Sequence, residues 1–154
     1  MSDAVSTDSD SSDVPPFIRQ SQLTEAIARD LVASVTGPWD RLRFRALILA
    51  PTTEYFLYVE RGEDSVKVFS GSEAKSRSRE LRSVMYQPGK GTWYTMELVV
   101  TSDMAVTTRF DYDNEPAFTE PGVDPIAFAT DLEKFPRDDA HRPEWLKSLL
   151  AEAN

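Results

Sequence analysis

Cysteine is absent from the 154 residues, and histidine occurs once, at His141. Disulfides, thiolate metal sites and thiol nucleophiles are therefore excluded, and so is a histidine-rich metal site. The six glycines stand singly or in turns, without the spacing of a phosphate-binding loop. No run of about eighteen apolar residues occurs, which argues against a membrane-spanning segment. The lack of cysteine fits a reducing cytoplasm.

Positive charge is scarce as well. The chain has 17 Lys and Arg against 26 Asp and Glu, which gives a formal net charge of −9. Nucleic-acid binding needs a cationic surface, so this balance argues against it and suits a basic protein partner instead. The simpler interpretation, which needs no partner, is that the acidity only keeps the protein soluble.

The first 16 residues are rich in Ser and Asp and contain no Lys or Arg. Such a composition buries too little apolar area to offset the entropy of ordering, so it predicts a disordered acidic tail at 1–16. It also lacks the basic and apolar regions of a signal peptide, which favours a cytoplasmic protein. The remaining residues, 17–154, are predicted to form a single domain.

The strongest structural pattern is the alternation of apolar and polar residues over 92–118. Met96, Leu98 and Val100 share one face of a first strand, and the stretch 104–112 alternates in the same way. The polar pair between them, Ser102 and Asp103, favours a turn. This segment therefore predicts a β-hairpin with one buried face.

The rest of the chain switches between helical and strand periodicity. Helices are predicted at 21–36, 72–86, 125–135 and from about 143 onward, and strands at 41–50, 55–60 and 66–69. The order α-βββ-α-ββ-α-α has connections too short for parallel crossovers. It predicts an α+β fold with a single antiparallel sheet of about five strands and helices packed on one face.

Two of these helices make residue-level predictions. Asp124 is expected to cap the third helix, with Pro125 at its first position and Ile126 and Phe128 facing the core. In the last helix, Trp145 heads an apolar stripe and is expected to anchor the helix on the sheet.

Cationic residues gather on two predicted elements. Arg41, Arg43 and Arg45 share one strand face, and the helix at 72–86 carries four more, namely Lys75, Arg77, Arg79 and Arg82. They are expected to pair with acidic residues of the other strands. The alternative is a surface that faces an anionic partner.

Carboxylates are densest after the second hairpin strand, at Asp111, Asp113, Glu115, Glu120 and Asp124. They lack the spacing of a calcium-binding loop, and nothing indicates the cleft that a glycosidase acid/base pair requires. A solvated strand face explains them without any ligand. The functional alternative is an acidic patch that contacts a protein partner, and these five residues are its candidates.

Several short segments together resemble the YezG-like family of bacterial antitoxin and immunity proteins, which neutralise polymorphic toxins that are often nucleases. The segments are GPWDRLRFRALI, RFDYDNEP, KFPRD and RPEWL, spread over about residues 20–150. The resemblance implies no catalytic residue and no cofactor. It also implies core packing for Phe110, Tyr112 and Trp145, and an available surface at Asp111, Asp113 and Glu115.

The functional hypothesis is therefore a non-enzymatic, cytoplasmic immunity protein whose partner is a cognate toxin domain, with neither nucleic acid nor membrane as a ligand. Two alternatives stay open. One is a secretion chaperone-like module that holds a partly unfolded client. The other is a small cation-binding or enzymatic domain that uses the carboxylates between Asp111 and Asp124.

Overall fold

The computed structural model describes residues 14–119 and 122–153. Four α-helices, five strands and one short 3-10 helix follow one another in these ranges. They are α1 (Pro16–Ala33), β1 (Arg41–Ile48), β2 (Thr53–Arg61), β3 (Asp64–Val68), α2 (Ser72–Val84), β4 (Thr95–Thr101), β5 (Val106–Asp111), α3 (Pro125–Lys134), the 3-10 helix (Asp139–His141) and α4 (Glu144–Glu152). Most of the predicted tail, residues 1–13, lies outside the described residues.

The five strands form one antiparallel sheet in the order β3-β2-β1-β4-β5. The predicted α+β fold with a single antiparallel sheet is therefore confirmed. β1 lies at the centre, where Arg43 is paired with Tyr58 of β2 on one side and with Val99 of β4 on the other. Since directly paired residues point to the same side of a sheet, these three side chains share one face.

The opposite face of the sheet carries the main core. Its buried side chains include Phe44, Leu57 and Leu98, and α1 covers them with Ile27 and Leu31. The apolar residues of α1 recur at helical spacing, so one stripe of the helix faces the sheet. α2 adds Ala74 and Leu81 to the same core. The other face is accessible to solvent at Arg41, Arg43 and Arg45 of β1, whereas Leu47 on the same side is buried.

A second apolar cluster lies beyond the end of β1. There, α3 contributes Phe128 and Leu132, and α4 contributes Leu146, around the buried Tyr94 and Leu49 that flank the paired strands. α3 and α4 thus enclose one end of the sheet.

The start of α1 differs from the prediction. α1 begins at Pro16, five residues before the predicted start at Ser21, because a proline at the first position has a fixed φ and no N–H to satisfy. α2 begins at Ser72, as predicted; it has no side-chain cap, and Gly71, with φ of 87°, precedes it.

Asp124 does cap α3, since its carboxylate accepts a hydrogen bond of 3.0 Å from the Ile126 N–H. Ile126, however, was expected to face the core and is 55 % exposed. The buried positions of α3 are instead Ala127, Phe128, Asp131 and Leu132, which are spaced three and four residues apart.

The hairpin between β4 and β5 is confirmed, and its connection is one residue longer than the predicted pair. Thr101 and Ala105 pair across a loop in which Met104 takes a φ of 68°. A three-residue hairpin loop needs such a left-handed residue at its third position, a place where glycine is usual. None of the described helices has the length and apolar character needed to cross a membrane.

Candidate binding surfaces

The predicted acidic row begins at Asp111, whose carboxylate is engaged within its own turn. It accepts hydrogen bonds from the backbone N–H of Asp113 (3.1 Å) and of Asn114 (3.0 Å), and from the side-chain amide of Asn114 (3.0 Å). Burial opposes ionisation, but these hydrogen bonds outweigh it and hold the pKa of the Asp111 carboxyl below its usual value. Asp111 therefore stabilises the turn that ends β5.

The remaining carboxylates do not continue a strand face, contrary to the sequence prediction. The strand ends at Asp111 and the chain bends through 112–114, so Asp113 and Glu115 leave it in a loop, where both are exposed. Asp124 lies at the start of α3, and Glu120 lies outside the described residues. A role for the five carboxylates in partner binding stays a prediction.

The described side chains form no metal-binding cluster. Among residues 14–119 and 122–153, no three His, Asp or Glu side chains come close enough together to hold a metal ion. The ring of His141 pairs with the Asp138 carboxylate at 2.6 Å on the surface, beside the 3-10 helix.

The segments that carry the family resemblance surround a buried ionic network. Arg82 of α2 donates two hydrogen bonds to Asp131 of α3, at 2.6 and 2.8 Å, and a third to the carbonyl of Trp93 at 2.6 Å. Both charged side chains are 2 % exposed. Asp131 also accepts the Ala50 N–H at 2.8 Å. This pair thus joins α2, α3 and the sheet end at one point.

Arg137, in the KFPRD segment, performs a similar task. Its guanidinium donates to three carbonyls, those of Thr92 (3.0 Å), Tyr112 (2.7 Å) and His141 (2.9 Å). Gly91 makes room for it, because a Cβ at that position would lie 2.5 Å from the Arg137 Nε. Arg137 therefore links the loop after β5 and the 3-10 helix to the segment that leads into β4.

Trp145, in the RPEWL segment, closes the second cluster. Its ring lies edge-on to Tyr94 and Phe128, with centroids 5.6 and 5.8 Å away, and its indole N–H donates to the carbonyl of Asp113 at 2.8 Å. Burial raises the pKa of the Tyr94 hydroxyl to about 12, and no described residue forms a hydrogen bond with that hydroxyl. Arg137 of KFPRD and Trp145 of RPEWL therefore hold the fold together rather than form a site.

The predicted pairing with acidic residues of other strands is confirmed for two of the seven cationic residues noted in the sequence. Arg41 and Arg43 both bind the Glu60 carboxylate across the β1–β2 pair. On the helical side, Arg77 pairs with Asp30 of α1.

The open face of the sheet keeps an excess of positive charge nevertheless. Its cationic side chains are Arg41, Arg43, Arg45, Lys67 and Arg109, and its carboxylates are Glu54, Glu60, Glu97 and Asp111. Five positive and four negative groups give this surface, hereafter the open face, a net charge of +1. The whole chain, by contrast, has a formal net charge of −9.

Two aromatic rings lie among these charges. Phe56 and Tyr58 of β2 stack with centroids 6.5 Å apart. The Lys67 ammonium lies over the Phe56 ring at 4.9 Å, and the Arg43 guanidinium lies over the Tyr58 ring at 5.2 Å. These contacts hold both rings and both cations in place, since a cation is attracted to the face of an aromatic ring.

Only one strand of this surface was predicted from the sequence, the one that carries Arg41, Arg43 and Arg45. Phe56, Tyr58 and Lys67 join it because β2 and β3 pair beside β1 in the same register. The available signal was the alternation in β2, where Phe56, Tyr58 and Glu60 occupy every second position.

The chain matches no protein-family model, and no curated protein is significantly similar to it.

Proposed function

We propose that this chain is a non-enzymatic immunity protein that acts in the cytoplasm, where it binds and neutralises a cognate toxin domain. The observation that supports this most directly is the open face. Sheets that carry helices on one side and solvent on the other need only a polar second face. This one instead presents Phe56 and Tyr58 among arginines, and aromatic residues and arginine are the side chains that dominate protein–protein contacts.

Two further observations agree with the proposal. In the described part of the chain, the charged groups with the least exposure, Arg82 and Asp131, bind each other and the backbone, so they serve the fold. Among the segments that resemble the YezG-like family, KFPRD and RPEWL serve the fold. GPWDRLRFRALI and RFDYDNEP also carry the open-face residues Arg41, Arg43, Arg45 and Arg109, so the resemblance includes part of the candidate binding surface.

Co-expression is the direct test. The C-terminal domain of the protein encoded by the gene next to this one is produced in bacteria, alone or together with this chain. We expect growth arrest with the domain alone, rescue by this chain, and a stable complex on purification. Rescue without a complex, or a complex without rescue, would contradict neutralisation by binding.

The state of the bound domain separates an immunity protein from a chaperone-like module. An immunity protein binds a folded toxin, so the domain released from the complex should keep its native circular dichroism and a cooperative thermal transition. A chaperone-like module would hold the domain without fixed tertiary packing, and the transition would be missing.

A further inference from the structure

We infer that the open face recognises an acidic protein surface, in which carboxylates flank an apolar side chain. This inference rests on the proposed function and names the chemistry of the toxin surface that is bound. It differs from the sequence-based expectation of a basic partner that meets the Asp111–Asp124 carboxylates. Charges of the open face that are already neutralised within the molecule are less available to a binding partner.

Three of the five cations have an internal partner. Arg41 and Arg43 share Glu60, and Arg109 binds Glu97 at 2.6 Å. The Arg45 guanidinium and the Lys67 ammonium, in contrast, form no ion pair or hydrogen bond with any residue in the ranges 14–119 and 122–153. Arg45 and Lys67 are therefore the cations of the open face that have no carboxylate partner among these residues.

The two unpaired cations flank an aromatic ring. Phe56 is paired directly with Arg45 across β1 and β2, and Lys67 covers the Phe56 ring from β3. β1 and β3 lie two strand spacings apart, about 10 Å. The arrangement Arg45–Phe56–Lys67 thus offers two charge sites with an apolar platform between them, which is complementary to two carboxylates on either side of an apolar residue.

The overall acidity of the chain does not oppose such a partner at short range. At physiological ionic strength the Debye length is about 8 Å, so a docked protein surface interacts with the local groups of the open face rather than with the net charge of −9. Charge complementarity at this distance sets specificity and residence time more than long-range steering.

Other occupants fit less well. A nucleic acid would extend past the open face onto the acidic remainder of the chain, where its phosphates would be repelled. A second copy docked through the same face would bring the unpaired Arg45 and Lys67 of both subunits into one contact, because a twofold contact uses the same patch on both subunits. An acidic protein surface meets neither obstacle.

The test uses the full chain and the C-terminal domain encoded by the neighbouring gene. Arg45→Gln with Lys67→Gln removes both unpaired charges, and it adds no carboxylate beside Glu97. Arg29→Gln with Lys90→Gln is the matched control, because it removes the same charge from exposed residues outside the open face. We expect the affinity to fall by about tenfold or more for the first pair, mainly through faster dissociation, with little change for the second.

The results distinguish a failure of the inference about the open face from a failure of the proposed function. If the parent binds and the Arg45/Lys67 variant binds equally well, the inference about the open face is overturned and the proposed function stands. If the parent does not bind the domain at all, both are overturned. Thermal unfolding of each variant confirms that a lost affinity does not reflect a lost fold.

The other occupants are tested with the same variants. Three results in the parent would overturn the inference if they disappear in the Arg45/Lys67 variant. The first is binding of a single-stranded 20-nucleotide RNA or DNA, and the second is self-association in sedimentation. The third is a change in amide chemical shifts around Lys67 when residues 1–13 are deleted. They would assign the open face to nucleic acid, to a second copy or to the acidic N-terminal segment, respectively.

Discussion

Replacing Asp131 with alanine should destabilise the protein more than any surface substitution. The variant leaves the Arg82 guanidinium buried, with the Trp93 carbonyl as its remaining hydrogen-bond acceptor, and deprives the Ala50 N–H of its partner. Removing one member of a buried ion pair costs about 3–5 kcal/mol. Because domains have total stabilities of about 5–15 kcal/mol, most of the stability of a marginal domain would be lost.

Urea unfolding followed by tryptophan fluorescence measures this loss, and the melting temperature should fall by about 10 °C. The control is the double variant Arg82→Met with Asp131→Leu, which removes both charges together. Its loss of unfolding free energy should be clearly smaller than the summed losses of the single variants Arg82→Met and Asp131→Leu, since no charge is left buried alone. A loss below about 1 kcal/mol for Asp131→Ala, the net value of an ordinary hydrogen bond, would refute the role assigned to the pair.

Three further predictions test individual contacts. Trp145→Ala should cost about 3 kcal/mol and Trp145→Phe about 1 kcal/mol, because phenylalanine keeps the ring packing and loses only the indole hydrogen bond; equal losses in urea unfolding would contradict this. Hydrogen bonds from Arg41 and Arg43 lower the pKa of Glu60 below its usual value of 4.5. The Glu60 carboxylate therefore stabilises the folded state above that pH, and this contribution is lost as the pH falls through the pKa of Glu60 in the folded state. Glu60→Gln should therefore be less stable than the parent at pH 7, and the difference should vanish in acid. Asp111→Asn should cost about 1 kcal/mol through the turn at 112–114, measured by thermal unfolding, whereas an unchanged stability would show that the turn does not depend on the carboxylate.

The sheet was predictable because its residues alternate. Strand periodicity in 92–118 and around Phe44 reflects one buried face, and that face is the one that α1 and α2 cover. The first turn of α1 was missed because it contains no polar cap and starts from prolines. The position of Ile126 was missed because the helical phase of α3 is set by the buried Asp131, a residue that sequence patterns place on the surface.

The candidate surface was only partly predictable. Arg41, Arg43 and Arg45 could be placed on one strand face from their spacing, but the strand order that brings Phe56 and Lys67 beside them is a long-range property. The predicted acidic row shows the opposite case. Its spacing suggested a continuous strand face, yet Asp111 binds its own turn and ends the strand, an interaction that competes locally with the ladder.

Titration of the toxin domain with purified full-length chain tests the central claim, neutralisation by binding, most directly. The activity of the domain encoded by the neighbouring gene is measured while the chain is added in increasing amounts. A non-enzymatic immunity protein predicts a linear fall that ends at one chain per domain, with the mass of the domain unchanged afterwards. Complete inactivation at a small fraction of that amount, or a change in the domain's mass, would show that the chain acts catalytically and would contradict the proposal.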